Sequence, residues 1–243
     1  MQIGAVADIH GNFDALYRAM TRHPEVRLWI CVGDVASSTG AYPTPPAPLY
    51  WIKGNNESFD RIAAWEEARE PPPANLHYVP NGTSIRVGPL HVAGLGGTYA
   101  PTWYETPAAA LPHGHAASAA RRQSLLARSA RVDDKRRHFV REEVERCTQL
   151  RDVDILMTHE APRPFIIVEP ARPGAMPRRR EAGKPPINVV LTALRPRLHL
   201  CGHHHRFVET EREGVRSVCI DRISRSYLLI DAATLAYEKI DLR

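Results

Sequence analysis

The sequence predicts an α/β protein in which a largely parallel central sheet is followed by the strands of an antiparallel second sheet. Short apolar runs without charge alternate with amphipathic helical segments over residues 1–70. Polar residues follow each of these runs, as they do at the carboxyl ends of parallel strands. Four more strand-like runs lie between residues 207 and 240 and have the pattern of an antiparallel sheet.

The predicted elements of the amino-terminal part alternate between strands and helices. The strands are expected at 3–7, 28–32 and 49–52, and the helices at about 13–20 and 58–69. Apolar residues recur at helical spacing in both helices, and prolines follow each one, at Pro24 and at Pro71. The stretch 37–48 is rich in Pro, Ser and Thr, which predicts a loop.

Two long connections separate the remaining predicted elements. Strands are expected at 76–79, 83–87, 90–93, 153–157, 198–201, 207–210, 215–220, 227–230 and 236–240, with an apolar helix at about 187–194. We interpret residues 98–150 as an insertion or cap within one domain that spans residues 1–243. A loop rich in Pro and Arg is expected at 161–187.

Composition narrows the class of protein. Of the 243 residues, 43% are hydrophobic and 24% are charged, which is ordinary for a globular protein. No apolar run approaches the ~20 residues that a membrane span needs, and no basic leader segment precedes the first strand. The four cysteines lack any C-x-x-C spacing, so reduced core thiols are expected. We therefore expect a cytoplasmic protein without a membrane partner.

The net charge of +5 is concentrated in two segments. Residues 121–141 carry eight Lys and Arg and two Asp, and residues 170–187 carry five Lys and Arg and one Glu. Local basicity of this kind suits nucleic acid or another anionic partner. Arginine-rich surfaces that are exposed to solvent and bind no partner would explain this local basicity equally well.

The most informative residues follow the predicted strands. Asp8 and His10 follow the first one, and an extended chain would place residues i and i+2 on one side. A carboxylate and an imidazole suit a divalent metal, although a helix N-cap and a surface His explain the pair as well. Repetition favours the metal, because five strand ends carry such residues: Asp8/His10, Asp34, Asn55, His159 and His203/His205.

This series of motifs resembles that of the calcineurin-like metallophosphoesterases. The family pattern D-x-H, G-D, G-N-H-D/E, H and G-H-x-H corresponds to Asp8-Ile9-His10, Gly33-Asp34, Gly54-Asn55-Asn56-Glu57, His159 and Gly202-His203-His204-His205. The resemblance implies a four-layer sandwich, in which two packed mixed sheets are flanked by helices. It also implies two divalent ions, with Mn²⁺ expected and Fe or Zn²⁺ as alternatives. Asp8, His10 and His205 would bind the first ion, Asp34 would bridge both, and Asn55, His159 and His203 would complete the second.

By the same resemblance, the reaction would be hydrolysis of phosphate esters. Two divalent ions beside two carboxylates and a bridging hydroxide would keep a net positive charge, which favours a phosphoryl group, and the hydroxide would be the nucleophile. The chain departs from the family at Asn56, where a His usually assists the leaving oxygen, and at Ser37, where some members have that His's partner Asp. An amide does not titrate near neutral pH. Glu57, His204 or a metal-bound water would then have to supply the proton, and the sequence does not select among them.

We therefore predict a dinuclear metal hydrolase with Asn56, Asp34 and His10 as catalytic residues. Phosphodiesters of nucleotides or nucleic acid are favoured, because the basic segments suit a longer anion and the usual acid is missing. Lariat-debranching enzymes of this superfamily also have Glu at the fourth position of the G-N-H-D/E motif. A phosphomonoesterase or protein-phosphatase-like enzyme is one alternative, and a non-catalytic scaffold is another. The candidates for substrate contact are Asn56, His204, Arg178 and Trp103, although packing of Trp103 and solvation of Arg178 explain those two as well.

Overall fold

The strands of the protein form two six-stranded sheets and a two-stranded ribbon. The computed structural model describes residues 1–114, 134–169 and 178–242. The strands are β1 (Gln2–Val6), β2 (Trp29–Cys31), β3 (Leu49–Trp51), β4 (Leu76–Tyr78), β5 (Thr83–Val87), β6 (Leu90–Leu95), β7 (Ile155–Thr158), β8 (Ile166–Glu169), β9 (Arg178–Glu181), β10 (Leu198–Cys201), β11 (Val208–Arg212), β12 (Val215–Cys219), β13 (Ser226–Asp231) and β14 (Tyr237–Asp241). The helices are α1 (Phe13–Arg22), α2 (Phe59–Glu66), α3 (Pro101–Tyr104), α4 (Arg141–Thr148) and α5 (Pro185–Leu194).

Both large sheets have parallel centres; the first has antiparallel pairing at one edge and the second at both edges. In the first sheet the order is β14-β13-β1-β2-β3-β4, and β1 to β4 are parallel to one another. Strand β13 pairs antiparallel with β1, so that Ile3 lies opposite Ile230. In the second sheet the order is β11-β12-β10-β7-β6-β5, with β5 and β11 as the antiparallel edges. The carboxyl ends of the parallel strands therefore lie along one edge of each sheet.

Three apolar clusters define the layers. The central cluster combines residues of both sheets, such as Ile3 and Ile30 with Ile155 and Leu200, so the sheets pack face to face. A second cluster joins the outer face of the first sheet to α1 and α2. A third joins the outer face of the second sheet to α4 and α5. The predicted fold, two packed mixed sheets flanked by helices, is confirmed. Within the described residues, no helix is long and apolar enough to cross a membrane.

The final four strands do not form a separate sheet, so that prediction is wrong. Strands β11 and β12 extend the second sheet, whereas β13 and β14 extend the first. Strands β4 and β5 also belong to different sheets, and the connection between them is held by Asn81, whose side chain exchanges two hydrogen bonds with the backbone of Gly96 (2.6 and 3.1 Å). Alternating apolar residues identify a strand but not its partner, which here comes from distant parts of the chain.

The segment 161–187, predicted to be a loop, contains the two-stranded ribbon β8–β9. The ribbon forms because Phe165 and Ile167 have an apolar surface to cover, which includes Cys201 and Cys219. All four cysteines are buried and free, as expected for core thiols. Residues 170–177 lie outside the described residues.

The segment 98–150 begins with α3 and ends with α4. Tyr99 and Tyr104 pack against Phe139, with ring centroids 6.0 and 6.5 Å from it, and so anchor both ends of the segment on the second sheet. A one-turn 3₁₀ helix, Lys135–Arg137, lies just before α4. Most of the basic segment 121–141 falls outside the described residues. The assignment of 98–150 as an insertion in one domain stays a prediction.

Candidate metal centre

Predicted ligands from both sheets converge at one point. The Nε2 atoms of His10 and His205 are 3.0 Å apart, and the Oδ1 atom of Asp8 lies 3.3 Å from His205 Nε2. The Oδ2 atom of Asp34 lies 3.5 Å from His10 Nε2 and 3.6 Å from His159 Nε2. Two overlapping groups result, Asp8–His10–His205 and Asp8–Asp34–His159, whose ligand atoms lie within 4.8 Å of one another.

The chemistry of these donors fits divalent cations. The Oδ1 atom of Asp8 is buried and has no hydrogen-bond partner. His159 Nδ1 lies 2.8 Å from the Val32 carbonyl oxygen, so the ring proton is assigned to Nδ1. The other ring nitrogen, Nε2, is then an acceptor, and it faces another acceptor, Asn55 Oδ1, at 3.1 Å. Buried acceptors that face one another are unfavourable unless a cation satisfies them. Ligand atoms ~2.0–2.2 Å from a shared ion would have separations close to those observed here.

The other predicted ligands, Asn55 and His203, border the same group. Asn55 is 7% exposed and follows β3. The His203 ring lies beside that of His159, with centroids 5.0 Å apart, and its backbone N–H donates to Asp8 Oδ2 (3.0 Å). Burial lowers the pKa of His203, so its imidazole is neutral and keeps a lone pair for a ligand bond.

The carboxylate of Asp34 is held ionised by its neighbours. Burial raises its pKa, but the fields of His159 and His10 and the hydrogen bonds from Asn56 outweigh burial, and the net shift is downward. Burial likewise lowers the pKa of His159, but Asp34 and Asp8 outweigh it, and the net shift is upward. The upward shift of the His159 pKa reflects the two carboxylates beside it, whose negative charge also favours a bound cation.

The ligands do not lie on extended chain, so the predicted reason for their convergence is wrong. Asp8, His10, Asp34, His203 and His205 have positive φ angles of 50°, 48°, 56°, 66° and 51°, and they make up five of the eleven non-Gly residues in this region of φ among the described residues. Each left-handed residue costs ~1–2 kcal/mol. Strain of this kind is concentrated at functional sites, where the surrounding structure holds it.

Two glycines let the loops approach the carboxylates. A Cβ atom on Gly54 would lie 2.0 Å from Asp34 Oδ1, and one on Gly202 would lie 2.8 Å from Asp8 Oδ2. Any side chain at these positions would displace a predicted ligand.

The side chain of Asn56, at the family's His position, is directed at Asp34. Its Nδ2 donates to Asp34 Oδ2 (2.8 Å), and its backbone N–H donates to Asp34 Oδ1 (2.7 Å). Ser37 has a loop role instead, since its Oγ accepts hydrogen bonds from the N–H groups of Thr39 and Ala41 (3.3 and 3.0 Å).

Glu57 is a buried anchor between two ligand loops. Its Oε1 accepts from the N–H groups of Val35 (2.9 Å) and Gly54 (3.2 Å), and its Oε2 accepts from Ala36 N–H (3.1 Å) and the Tyr42 hydroxyl (3.0 Å). Burial and then Asp34 raise its pKa to about 7. All four hydrogen bonds come from the protein, which favours a structural role over proton delivery. Sequence reasoning missed this role, because nothing in the motif distinguishes an anchoring carboxylate from a reactive one.

The other substrate-contact candidates lie at the border of the site or away from it. The His204 ring stacks on Phe165 with centroids 4.6 Å apart, and burial lowers its pKa to about 3. Trp103 is half-buried in α3, with Lys135 Nζ 5.8 Å from its ring, and Arg178 is exposed in β9. Neither Trp103 nor Arg178 forms a hydrogen bond or ion pair with a predicted ligand in the described part of the chain. Their contact with substrate stays a prediction.

Comparison with known proteins identifies a matching family. A family model described as the calcineurin-like phosphoesterase superfamily domain matches residues 1–220. Among solved structures, TT1561 of Thermus thermophilus is similar in fold, with a TM-score of 0.60, 15% identity and coverage of 100% of this chain and 99% of that one. An archaeal phosphodiesterase has a TM-score of 0.45 and 14% identity, with 100% of both chains covered. A search of curated proteins found no match.

Proposed function

The chain belongs to the calcineurin-like phosphoesterase superfamily, and we propose that it is a dinuclear metal hydrolase with a preference for phosphodiesters. The observation that carries this proposal is the convergence of two buried carboxylates and three imidazoles, with one carboxylate oxygen left without a partner. Backbone strain at four of these five residues, Asp8, His10, Asp34 and His205, supports a catalytic site over a scaffold, because a scaffold has no need of strained ligands.

We assign the ligands as two sets that share Asp34. Asp8, His10 and His205 would hold one ion, and Asn55, His159 and His203 would complete the other. When bound, two divalent ions would lower the pKa of water and offset the charge of a phosphoryl group. The donors are nitrogen and oxygen without thiolate, so Mn²⁺ is proposed, with Fe or Zn²⁺ as alternatives.

The protein residues would orient the substrate and stabilise its charge. Asn56 keeps Asp34 in place, and its amide has no proton to transfer near neutral pH. The departing oxygen would therefore take its proton from solvent, and good leaving groups would be hydrolysed much faster than poor ones. A phosphodiester is favoured because the basic segments 121–141 and 170–187 of the sequence suit an anion longer than one phosphate.

Two activated substrates test the proposal. Mn²⁺-loaded protein is expected to hydrolyse bis(p-nitrophenyl) phosphate with a higher kcat/KM than p-nitrophenyl phosphate, and both activities should be lost in Asp34→Asn. A higher kcat/KM for the monoester would favour the phosphomonoesterase. Two bound ions without hydrolysis of either ester would favour the scaffold.

The salt dependence of nucleic-acid binding tests whether the protein contacts a polyanion. If the basic segments 121–141 and 170–187 contact nucleic acid, affinity for a short RNA or DNA should fall steeply with salt through counterion release. Neutralising Arg178, Arg179 and Arg180 together should reduce the slope and leave hydrolysis of the small diester unchanged. An affinity for RNA or DNA that stays constant between low and moderate salt would indicate instead that the basic residues of these segments are simply exposed to solvent.

A further inference from the structure

The one-turn helix Lys135–Arg137 is hydrogen-bonded to Lys53, the residue that precedes Gly54 and Asn55 of the candidate metal centre. Lys53, two residues after β3, is 9% exposed, and its ammonium donates to the carbonyls of Arg136 (2.9 Å) and His138 (3.4 Å). The carbonyl of Arg137, between them, accepts from Thr98 N–H (2.9 Å). The backbone on both sides of Arg137 is thus fixed against the strand that leads into Gly54, Asn55 and Asn56.

A glycine permits this arrangement. Gly97 has a φ of +89°, and a Cβ atom there would lie 2.7 Å from the Arg137 carbonyl oxygen. Its N–H also donates to the Lys53 carbonyl (2.7 Å). The loop after β6 can therefore touch both the loop after β3 and the one-turn helix only because residue 97 has no side chain.

Two consecutive arginines in this turn differ sharply in their partners. The Arg136 guanidinium binds Asp134 through Nε (3.0 Å) and Nη2 (2.5 Å), and it also reaches Asp60 (2.6 Å). The Nε atom of Arg137 is buried and has no hydrogen-bond partner. Within residues 1–114, 134–169 and 178–242, the Arg137 guanidinium has no ion pair either.

The charge of Arg137 interacts electrostatically with a predicted ligand, Asp34. Burial lowers the pKa of its guanidinium, and the carboxylate that opposes this most strongly is Asp34, followed by Asp134. Because Asp134 is already engaged by Arg136, the Arg137 cation has no carboxylate of its own among the residues that the structure describes. A half-buried guanidinium stays protonated, and its unmet donors are unfavourable unless an anion completes them.

We propose that the guanidinium of Arg137 binds a phosphoryl oxygen of the substrate next to Asp34. This inference rests on the proposed phosphoesterase function. A guanidinium presents a planar fork that matches two phosphate oxygens. It cannot transfer a proton, so it would offset negative charge without replacing the missing His.

Binding of inorganic phosphate tests this role apart from turnover. In Mn²⁺-loaded protein, titration calorimetry should show phosphate binding about 10- to 100-fold weaker in Arg137→Gln, as for loss of a charge-assisted contact. Arg137→Lys keeps the charge but loses the fork, so its loss should be smaller. Arg141→Gln is the matched control, since Arg141 is an exposed arginine nearby whose partner is Glu105; its affinity should be unchanged. Mn²⁺ content, measured in every variant, should stay at the parent's level.

The outcomes separate the two proposals. If the parent binds phosphate and hydrolyses diesters while Arg137→Gln does both equally well, the Arg137 assignment is wrong and the function stands. An equal loss in Arg141→Gln also overturns it, because a general charge effect would then suffice. If Arg137→Gln folds poorly, Arg137→Lys decides: a phosphate affinity equal to the parent's contradicts the need for the fork. A parent that neither binds phosphate nor hydrolyses any ester overturns both proposals.

Discussion

Replacement of Glu57 by Gln is expected to destabilise the protein at the junction of the two loops that carry Asp34 and Asn55. In the parent, each carboxylate oxygen accepts two hydrogen bonds. Glutamine has the same shape but presents an NH₂ group in place of one oxygen. Two of the four donors would then face another donor.

The orientation of the new amide sets the magnitude. If its NH₂ faces Val35 and Gly54, two buried backbone N–H groups lose their acceptor. If it faces Ala36 and Tyr42, the Tyr42 hydroxyl can rotate to accept from it, which leaves Ala36 N–H unpaired and turns the Tyr42 O–H away from its acceptor. The second orientation is cheaper, because a hydroxyl can rotate and a backbone N–H cannot, and one unpaired buried backbone donor costs ~1–3 kcal/mol. For a protein of this size, that corresponds to roughly 2–12 °C in Tm.

Urea and thermal unfolding of metal-loaded protein measure this loss. Glu145→Gln is the matched control, because Glu145 is exposed on α4 and should change stability by less than ~0.5 kcal/mol. The reasoning is refuted if Glu57→Gln is as stable as this control and slows only esters with poor leaving groups. That result would mean that Glu57 delivers the proton.

Three further predictions concern the metals, the leaving group and acid stability. Elemental analysis should give near two equivalents of Mn²⁺ in the parent and about one in Asp34→Asn; two equivalents in both would contradict the bridging assignment. In a series of aryl phosphodiesters, the parent rate should fall steeply as the leaving-group pKa rises, and Asn56→His with Ser37→Asp should flatten that slope more than Asn56→His alone. A shallow slope in the parent would mean that another acid is present. Burial lowers the pKa of His199 to about 3, so between pH 6.5 and 3 the unfolded chain binds a proton that the folded protein does not, and stability falls as pH falls. This group should cost about 3 kcal/mol between pH 7 and pH 4, and urea unfolding of His199→Gln should show a correspondingly weaker pH dependence; an unchanged dependence would contradict the assignment.

Local sequence predicted most strands but not their partners. The apolar pattern of the residues in β13 is compatible with either sheet, so it does not predict the partner strand. The position of β13 beside β1 depends on contacts across the whole fold. The ribbon β8–β9 was missed because prolines and arginines dominate its surroundings, although Phe165 to Val168 is an apolar, largely β-branched run. A pattern of turn-forming residues outweighed a short strand signal.

The sequence predicted which residues would lie together in the candidate site, but not the backbone geometry that brings them together. Asp8 and His10 were placed together through extended backbone, whereas both are left-handed. The hydrogen bonds of Glu57 and Lys53 depend on residues far away in the sequence, as does the lack of an ion pair for Arg137 among the described residues, so no motif could have indicated them. Motif spacing predicted candidate ligands, and the structure brings them together, while the contacts of the side chains around them required the assembled loops.

The central position of β1 in the first sheet has a consequence for synthesis on the ribosome. Its partner β13 lies more than 220 residues further along the chain, since Ile3 pairs with Ile230. At roughly 5–20 residues per second, that partner is translated on the order of 10–45 s later. During this interval one edge of β1 has no strand to pair with, and Asp8 and His10 have been made before His203 and His205. A nascent chain therefore cannot complete the first sheet or bring all the predicted ligands together until nearly all of it has been translated. An arrested chain that lacks β13 would present an open β-edge to chaperones or to other nascent chains.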